Sequence, residues 1–423
     1  MRTLIVFSHL RWGYVRQRPQ HLMSRLAGRW RVLFVEEPVR CEGPPRLDRI
    51  RVAEHVEVLC PRTPLDAAGF CDEQLPMIEP LLVRFLREQA IDDYALWFYT
   101  PMALPLARRL EPRAVVYDCL GERWARPLGE RESALLGRAQ LVFAGGPALY
   151  AALRDLHPRV HCLPSAVDAA HFAPASLARD GEHAHEAARL HASLPQPRLG
   201  WFGVVDERMD LALLAHLADA RPAWQLVMVG PVVGIERDDL PQRPNVHWLG
   251  MQPYARLPHL MQQWSLCLMP FARNEATRFI NPAKALEYMA GEKPVVSTPV
   301  HDVVALYGDV VHIGRDAAGF VAACDAALAE CGDKRSRRIG EMLSLVGRTS
   351  WDHAADTVHR LLEAELARRP ARAAAREPAR IEASGVRRAA AIAQPGALAV
   401  PWPLAPEGPA RLGAVAGEAG ERA

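Results

Sequence analysis

The sequence predicts an α/β protein with two doubly wound parallel-sheet domains that face each other across a cleft. Short apolar runs alternate with amphipathic stretches, a pattern typical of parallel strands connected by helices. The alternation pauses in a polar, histidine-bearing stretch at 171–197 and restarts at Leu199. Because ligands of such sheets bind at the carboxyl ends of the strands, two facing sheets predict a binding cleft.

The apolar runs give the expected order of strands. In a first domain, residues 1–170, strands are predicted at 3–8, 32–35, 56–60, 95–99, 114–117, 141–144 and 160–163. In a second domain, residues 198–348, they are predicted at 199–203, 225–229, 246–249, 266–269, 295–297 and 310–313. Amphipathic helices are predicted at 17–27 and 78–88, together with a terminal helix at 349–367 that can pack back on the first domain. Residues 368–423 are rich in Ala, Arg, Pro and Gly, which predicts a disordered tail.

Composition narrows the class of protein. A net charge of +2 over 423 residues argues against strong nucleic-acid binding. The eight cysteines contain no C-x-x-C pair and no metal-ligand cluster, so a reduced, cytoplasmic protein is expected. No apolar run reaches the roughly 18 residues of a membrane span. His183, His185 and His191 allow either a metal site or a solvated linker helix, and the polar context favours the helix.

A loop, a helix and a strand between 271 and 298 form the most informative stretch. Asn281 is expected to cap a helix over 282–290, with Pro282 at the first helical position. Gly291 is expected to end that helix in the left-handed conformation. The strand at 295–297 follows, an order that places the helix start beside a ligand.

Two charged residues on this helix suggest a nucleotide diphosphate. Lys284 lies near the helix start, where free amides and the helix dipole favour phosphate. Glu287 lies on the same face, about 4.5 Å further along the axis, where its oxygens can accept hydrogen bonds from ribose hydroxyls. Lys284 is one of only three lysines in the chain, against 48 arginines (51 − 3). The alternative is an ordinary i,i+3 ion pair.

The motifs together resemble a known family. The first set consists of Gly203, Gly230-Pro231, Trp248-Leu249-Gly250, Met269-Pro270-Phe271 and the run N-P-x-K-x-x-E-Y-M-A-x-x-K-P-V-V-S-T from Asn281. The second set consists of Q-R-P-Q-H-L at 17–22, Tyr117-Asp118, Pro164-Ser165 to Asp168, and G-V-V-D-E-R-M-D at 203–210. Over roughly residues 1–365 the chain resembles GT-B glycosyltransferases of family 4, the "glycosyl transferases group 1" type. Within that type it is most similar to the teichuronic-acid-biosynthesis-like bacterial members.

The resemblance implies two Rossmann-like domains and a hexosyltransferase-like activity. It implies transfer of a sugar, with retention and without a metal or other cofactor, from a nucleotide-sugar donor to a glycan or lipid-linked acceptor in cell-surface polysaccharide synthesis. Cationic groups stabilise the departing diphosphate in such enzymes. The candidates here are Lys284, Arg208 and the amides after Asn281, with Gly203, Gly230, Pro282 and Glu287 as further donor-binding residues.

Three departures from the family pattern are visible. Many members carry two glutamates eight residues apart; the second matches Glu287, but Phe279 stands at the first position. Glu275, in the preceding loop, is either a catalytic residue that reaches the donor sugar or a solvated loop acid. Val204 occupies the approximate place of a family arginine, and Arg208 either substitutes for the family lysine or belongs to a charged helix start.

The first domain offers candidate acceptor or phosphate contacts. In the loop after the first strand, Gly13 permits close backbone approach, and Arg16 and Arg18 are expected at the cleft mouth. Residues 1–35 contain seven arginines and no acid, which suggests peripheral contact with an anionic membrane or only ordinary surface arginines. Asp118 ends a strand and is expected either to touch the donor sugar or orient the acceptor, or to cap a helix.

Two other classes of function stay open. A nucleotide-sugar epimerase would share the two-sheet architecture and the donor, but it would convert the donor without an acceptor. A non-catalytic sugar-nucleotide-binding protein would bind the nucleotide without turnover, and the missing glutamate keeps this alternative open.

Overall fold

Two α/β domains make up the part of the chain that the computed structural model describes, residues 1–121, 128–179 and 181–368. The strands are β1 (Thr3–Ser8), β2 (Arg31–Glu36), β3 (Val39–Arg40), β4 (Arg46–Ala53), β5 (Val56–Thr63), β6 (Tyr94–Phe98), β7 (Ala114–Cys119), β8 (Leu141–Ala144), β9 (Val160–Cys162), β10 (Arg198–Phe202), β11 (Gln225–Val229), β12 (Val246–Trp248), β13 (Leu266–Met269), β14 (Val295–Ser297) and β15 (His312–Ile313).

Helices connect most of these strands. They are α1 (Arg18–Leu26), α2 (Leu75–Glu88), α3 (Glu130–Arg138), α4 (Pro147–Leu153), α5 (Ala169–Phe172), α6 (Gly181–His191), α7 (Leu211–Ala220), α8 (Leu257–Gln262), α9 (Lys284–Ala290), α10 (His301–Tyr307), α11 (Ala317–Ala329), α12 (Gly332–Gly347) and α13 (Trp351–Arg368). Short 3-10 segments lie at Pro101–Arg109, Pro174–Arg179, Arg237–Asp239, Tyr254–Arg256 and Glu275–Thr277.

The first sheet follows the order β3-β5-β2-β1-β6-β7-β8-β9, and β4 pairs with β5 at its edge. All pairs are parallel except β4 with β5. The second sheet follows the order β12-β11-β10-β13-β14-β15 and is parallel throughout. In both sheets the chain begins in the interior and runs outwards on each side, so the predicted doubly wound architecture is confirmed.

Buried apolar side chains cover both faces of each sheet. In the first domain one core joins β1 and β6 to α2 and α3, with Phe7 stacked on Phe98 at 4.9 Å between ring centroids. The opposite core packs α1 and α13 on the same strands through Trp97 and Val358. The near-continuous apolar strands therefore match a sheet that is buried on both faces.

Helix α13 comes after the second domain in sequence but packs on the first. Its apolar face joins the core of α1, and its acids meet the arginines of the first domain. Arg25 pairs with Asp352 at 2.9 Å, and Arg29 pairs with Asp356 at 2.7 Å. The predicted tail lies outside the described residues, apart from Arg368, which ends α13.

Two local expectations were incomplete. The sequence did not reveal β4, because this edge strand is mostly exposed and charged. The stretch 171–197 does form a helix, α6, but this helix is not simply solvated: His191 is fully buried. Its Nε2 accepts a hydrogen bond from Trp264 at 3.0 Å, so His191 is a core residue of the second domain.

Candidate functional site

The carboxyl ends of the two sheets meet at a cavity of about 370 Å³. The first domain contributes the loop after β1 and the start of α1. The second contributes the loops after β10, β11 and β13 and the start of α9. The cavity therefore lies where open parallel sheets bind ligands.

Two glycines let the backbone pass close to the cavity. Gly203 follows β10 with a φ of +150°, and Gly230 follows β11 with a φ of +142°. A Cβ on Gly230 would lie 1.6 Å from the carbonyl oxygen of Gly203. A Cβ on Gly203 would lie 2.2 Å from Cε of Lys284. Side chains are excluded at both positions, which brings the backbone and Lys284 together at the cavity wall.

The helix at the site begins later than the sequence predicts. Helix α9 starts at Lys284, and its N-cap is Ala283, so the prediction that Asn281 caps a helix starting at Pro282 was wrong. Asn281 instead makes tertiary hydrogen bonds, with Ser165 among its partners. The left-handed conformation expected at Gly291 was also wrong, since its φ is −84°. Gly291 is needed for space, because a Cβ there would lie 2.0 Å from Cε of Met261.

Lys284 and Glu287 both line the cavity. Nζ of Lys284 lies 5.8 Å from the ring centroid of Trp201, a cation–π distance. Burial raises the pKa of Glu287 to about 7, although the charge of Lys284 opposes this shift. Among the described residues that line the cavity, Glu287 is the only carboxylic acid. The pair therefore offers one cation and one titratable acceptor on a single helix face.

Arg208 also lines the cavity, but Asp206 holds its guanidinium. Nε of Arg208 donates to Oδ1 of Asp206 at 2.9 Å, and the Arg208 amide donates to the same oxygen at 3.0 Å. A contact between Arg208 and a phosphate would therefore be shared with Asp206. Pro282 lines the same wall.

The three candidates of the first domain differ in their surroundings. Gly13 is exposed at the cavity, and a Cβ there would meet no atom within 4 Å. Arg16 is exposed and lies 5.4 Å over the ring of Tyr254 from the second domain. Arg18 also lines the cavity, but it is buried and its guanidinium is hydrogen-bonded to protein partners, so it is less open than the sequence predicts. Arg16 is thus the more accessible of the two arginines.

Asp118 is the main partner of Arg18. Nε and Nη2 of Arg18 donate to the two carboxylate oxygens of Asp118 at 3.0 and 2.8 Å. Nη1 of Arg18 also donates to the carbonyl of Leu163 at 2.6 Å. The Asp118 side chain is fully buried and does not line the cavity. Its placement matches neither the sugar contact nor the helix cap that the sequence suggested.

Glu275 and Phe279 point in different directions. The side chain of Glu275 is 85% exposed and faces Arg278 at 3.4 Å, outside the cavity lining. Phe279, at the position of the family's first glutamate, is buried with Leu149 in the core of the first domain. At position 279 an apolar contact between the domains therefore stands where the family has a carboxylate. Glu275 does not occupy that place in the structure.

Sequence reasoning did not single out an aromatic group at the cavity. His21 stacks on Trp351 with ring centroids 5.2 Å apart, and Tyr254 lies 5.5 Å from His21. Burial, with Arg16 and Arg25, lowers the pKa of His21 to about 3, so this ring is neutral. His21 belongs to the Q-R-P-Q-H-L motif, which was the one available signal. Tyr254 and Trp351 lie too far along the chain for spacing to connect them with it.

Most arginines near the amino terminus are neutralised by acids from elsewhere in the fold. Six of the seven between residues 1 and 35 form ion pairs: Arg2 with Glu363, Arg11 with Glu36, Arg18 with Asp118, Arg25 with Asp352, Arg29 with Asp356 and Arg31 with Glu57. The local arginine excess therefore does not produce an equally basic surface. In the described ranges, no helix has the length and apolar character needed to cross a bilayer. Nor do those ranges bring together three or more His, Cys, Asp or Glu side chains that could hold a metal ion.

Comparisons with known proteins agree with this architecture. Residues 196–330 match the model of the family described as glycosyl transferases group 1. Sucrose-phosphate synthase from Thermosynechococcus elongatus superposes with a TM-score of 0.66 at 17% identity, covering 87% of this chain and all of that one. The Anabaena HepE structure, in complex with UDP and glucose, has a TM-score of 0.62 at 14% identity, covering 86% of this chain and all of that one.

These matches show a GT-B fold, and the family model confirms that residues 196–330 resemble the group 1 glycosyltransferases. A curated relative is the putative teichuronic acid biosynthesis glycosyltransferase TuaH of Bacillus subtilis (strain 168). It is 24% identical over 302 residues, which cover 64% of this chain and 72% of the relative.

Proposed function

We propose that the protein transfers a sugar, with retention of anomeric configuration, from a nucleotide-diphosphate donor to a glycan or lipid-linked acceptor in cell-surface polysaccharide synthesis. The observation that carries the proposal is the placement of Lys284 and Glu287 side by side at a cavity between two Rossmann-like domains. The likeness to TuaH supports the polysaccharide role.

The donor fits the second domain. Lys284 and the backbone after Gly203 and Gly230 form the wall where a diphosphate would lie, since glycine positions admit close approach of phosphate oxygens. Glu287, one turn along α9, would accept hydrogen bonds from the ribose hydroxyls. The Anabaena HepE structure contains UDP and glucose, which supports a nucleotide sugar as the class of donor.

Leaving-group stabilisation would drive the reaction. As the glycosidic bond stretches, negative charge develops on the diphosphate, and preorganised cations stabilise that charge more in the transition state than in the ground state. Lys284 supplies this charge directly, and Arg208 supplies it while hydrogen-bonded to Asp206. These groups would act without a metal or other cofactor.

Retention without an enzymic nucleophile is compatible with the residues at the cavity. Glu287 is the one carboxylic acid among the described lining residues, and we assign it to the ribose. The carboxylate of Asp118 is paired with Arg18 and does not line the cavity. The acceptor hydroxyl would therefore approach on the face the leaving group departs from, next to Arg16. Contact with an anionic membrane stays a prediction that the paired arginines do not support.

A thermal-shift screen against UDP, GDP, ADP and TDP sugars tests the proposal first, because a ligand that binds the folded state raises the unfolding temperature by mass action. We expect one nucleotide family to give the largest shift. The selected donor is then incubated with and without a pool of bacterial glycan acceptors. Slow hydrolysis of the donor when no acceptor is present, together with sugar transfer when the acceptor pool is added, would support the proposal. Isomerisation of the donor without acceptor would indicate an epimerase, and binding without turnover a non-catalytic protein.

A further inference from the structure

The loop before Lys284 is fastened to the first domain at two successive points. The side chain of Phe279 packs in the core of the first domain beside Leu149. Two residues later, Oδ1 of Asn281 accepts a hydrogen bond from the Ser165 amide at 2.8 Å. The Ser165 hydroxyl donates to the carbonyl of Asn281 at 3.0 Å. The loop that carries Lys284 therefore contacts the first domain through both side chain and backbone.

Asp302, in the first turn of α10, completes this contact from the second domain. Its side chain is fully buried. Oδ1 accepts from the amide of Ala148 in α4 of the first domain at 2.9 Å. Oδ2 accepts from Nδ2 of Asn281 at 3.2 Å, and Nδ1 of His301 lies 3.0 Å from Oδ1. One carboxylate thus joins the first domain to the loop of the donor site.

A glycine in the first domain makes room for this carboxylate. A Cβ on Gly146 would lie 2.0 Å from Oδ2 of Asp302 and 2.8 Å from Cβ of Asn281. The backbone of Gly146 is extended, with a φ of −175°, so an alanine there is not strained in itself. The space at residue 146 is therefore required by the partner domain.

We propose that Asp302 is a positioning residue that holds the two domains closed and anchors the loop carrying Lys284. The four residues Asn281, Asp302, Ser165 and Ala148 are called the clasp. The hydrogen bonds of Ser165 and Ala148 cross between the domains and break when the domains separate, whereas the bond between Asn281 and Asp302 lies within the second domain. Opening of the cleft therefore releases the loop that carries Lys284 from the first domain. Closure of the two domains would then also set the position of the loop that carries Lys284.

The directions of the hydrogen bonds give a sharp test. Both oxygens of Asp302 accept hydrogen bonds, one from Nδ2 of Asn281 and one from the Ala148 amide. In Asp302→Asn, an NH2 group replaces one of these oxygens and faces a donor, so one of the two bonds is lost. In Asn281→Asp, two carboxylates would face each other across 3.2 Å. The double variant Asn281→Asp/Asp302→Asn reverses the bond between the two residues. Both the Ser165 and the Ala148 amides then keep an acceptor.

Distances between the domains can be measured by electron paramagnetic resonance on the full chain without nucleotide. Spin labels are attached to ketone-bearing residues introduced at Arg87 on α2 and Ser344 on α12, both exposed. We expect Asp302→Asn, Asn281→Asp and Gly146→Ala each to increase the fraction of a second, open population. The double variant should return that fraction to the wild-type value. Because no nucleotide is present, the outcome does not depend on the proposed activity.

The matched control is Asp316→Asn. Asp316 caps α11 through the amide of Gly319 at 2.7 Å, within the second domain alone. It should leave the distance distribution unchanged. Wild-type distributions in all single variants, an unrestored double variant, or an equal effect of Asp316→Asn would each overturn the proposal. If Asp302→Asn does not fold, Gly146→Ala still decides, since its added methyl group meets the clasp only when the domains are closed.

Discussion

Lys284 packs against the backbone of Gly203, so closely that a Cβ on Gly203 would lie 2.2 Å from Cε and 2.8 Å from Nζ of Lys284. The two residues come from different segments: Gly203 directly follows β10, and Lys284 is the first residue of α9. Trp201 lies on the same side, with its ring 5.8 Å from Nζ. The direction of the Lys284 side chain is therefore set by the strand beside it as well as by its own helix.

Gly203→Ala should displace Lys284 and weaken nucleoside diphosphate binding at least tenfold, the size of one lost charge-assisted hydrogen bond. Isothermal titration calorimetry measures this. Gly234→Ala is the control, because Gly234 also has a positive φ, +67°, but no atom lies within 4 Å of its added Cβ. Equal losses in both variants would show that backbone strain, and not crowding of Lys284, is responsible.

Nucleotide affinity should depend on pH through Glu287. Burial raises the pKa of this carboxyl group to about 7, so it gains its proton as the pH falls through 7. The neutral acid is a poorer acceptor for ribose hydroxyls, and affinity should fall about tenfold between pH 8 and pH 6 in proportion to the ionised fraction. Glu287→Gln should lack this component, leaving only the titration of the nucleotide phosphates. If calorimetry shows the same dependence of nucleotide affinity on pH in the wild type and in Glu287→Gln, the assignment of Glu287 to the ribose is contradicted.

Asp118→Ala should destabilise the protein by about 3–5 kcal/mol, because it leaves the buried Arg18 without its partner. Urea unfolding followed by circular dichroism measures the loss. The double variant Arg18→Ala/Asp118→Ala should cost less than the sum of the two single variants, since it leaves no unpaired buried charge. If Asp118→Ala is as stable as the wild type but binds the donor more weakly, Asp118 contributes to donor binding instead.

Glu275→Ala should leave nucleoside diphosphate affinity within about 0.5 kcal/mol of the wild type, as for an ordinary surface substitution. Its side chain is 85% exposed and does not line the cavity. Calorimetry with the same nucleotide measures it. A loss of tenfold or more would mean that the 3-10 turn at Glu275–Thr277 moves into the cavity when the donor binds.

Much of the fold is encoded in local patterns. Parallel strands such as β1 and β11 are buried on both faces, so they appear in the sequence as continuous apolar runs. The edge strand β4 carries Arg46, Asp48, Arg49 and Arg51 and gives no such signal. Its position follows only from its pairing with β5, which is a tertiary contact.

The site was less predictable because its partners are distant in sequence. Local spacing gave Lys284 and Glu287, which lie on one helix. It could not show that Asn281 would bond to Ser165, or that Arg18 would pair with Asp118, one hundred residues away. In both cases a tertiary hydrogen bond took the place of the helix cap that local propensity favoured for Asn281 and allowed for Asp118.

The central claim is that Lys284 and Glu287 bind the diphosphate and the ribose of the donor. Calorimetric titration of Lys284→Ala and Glu287→Ala with the nucleoside diphosphate selected by thermal shift tests it directly. We predict that each variant, folded as judged by circular dichroism, loses about 1.5–3 kcal/mol of binding free energy. Lys334→Ala, which changes an exposed lysine of α12, should lose none. Unchanged affinity in folded Lys284→Ala and Glu287→Ala would contradict the account.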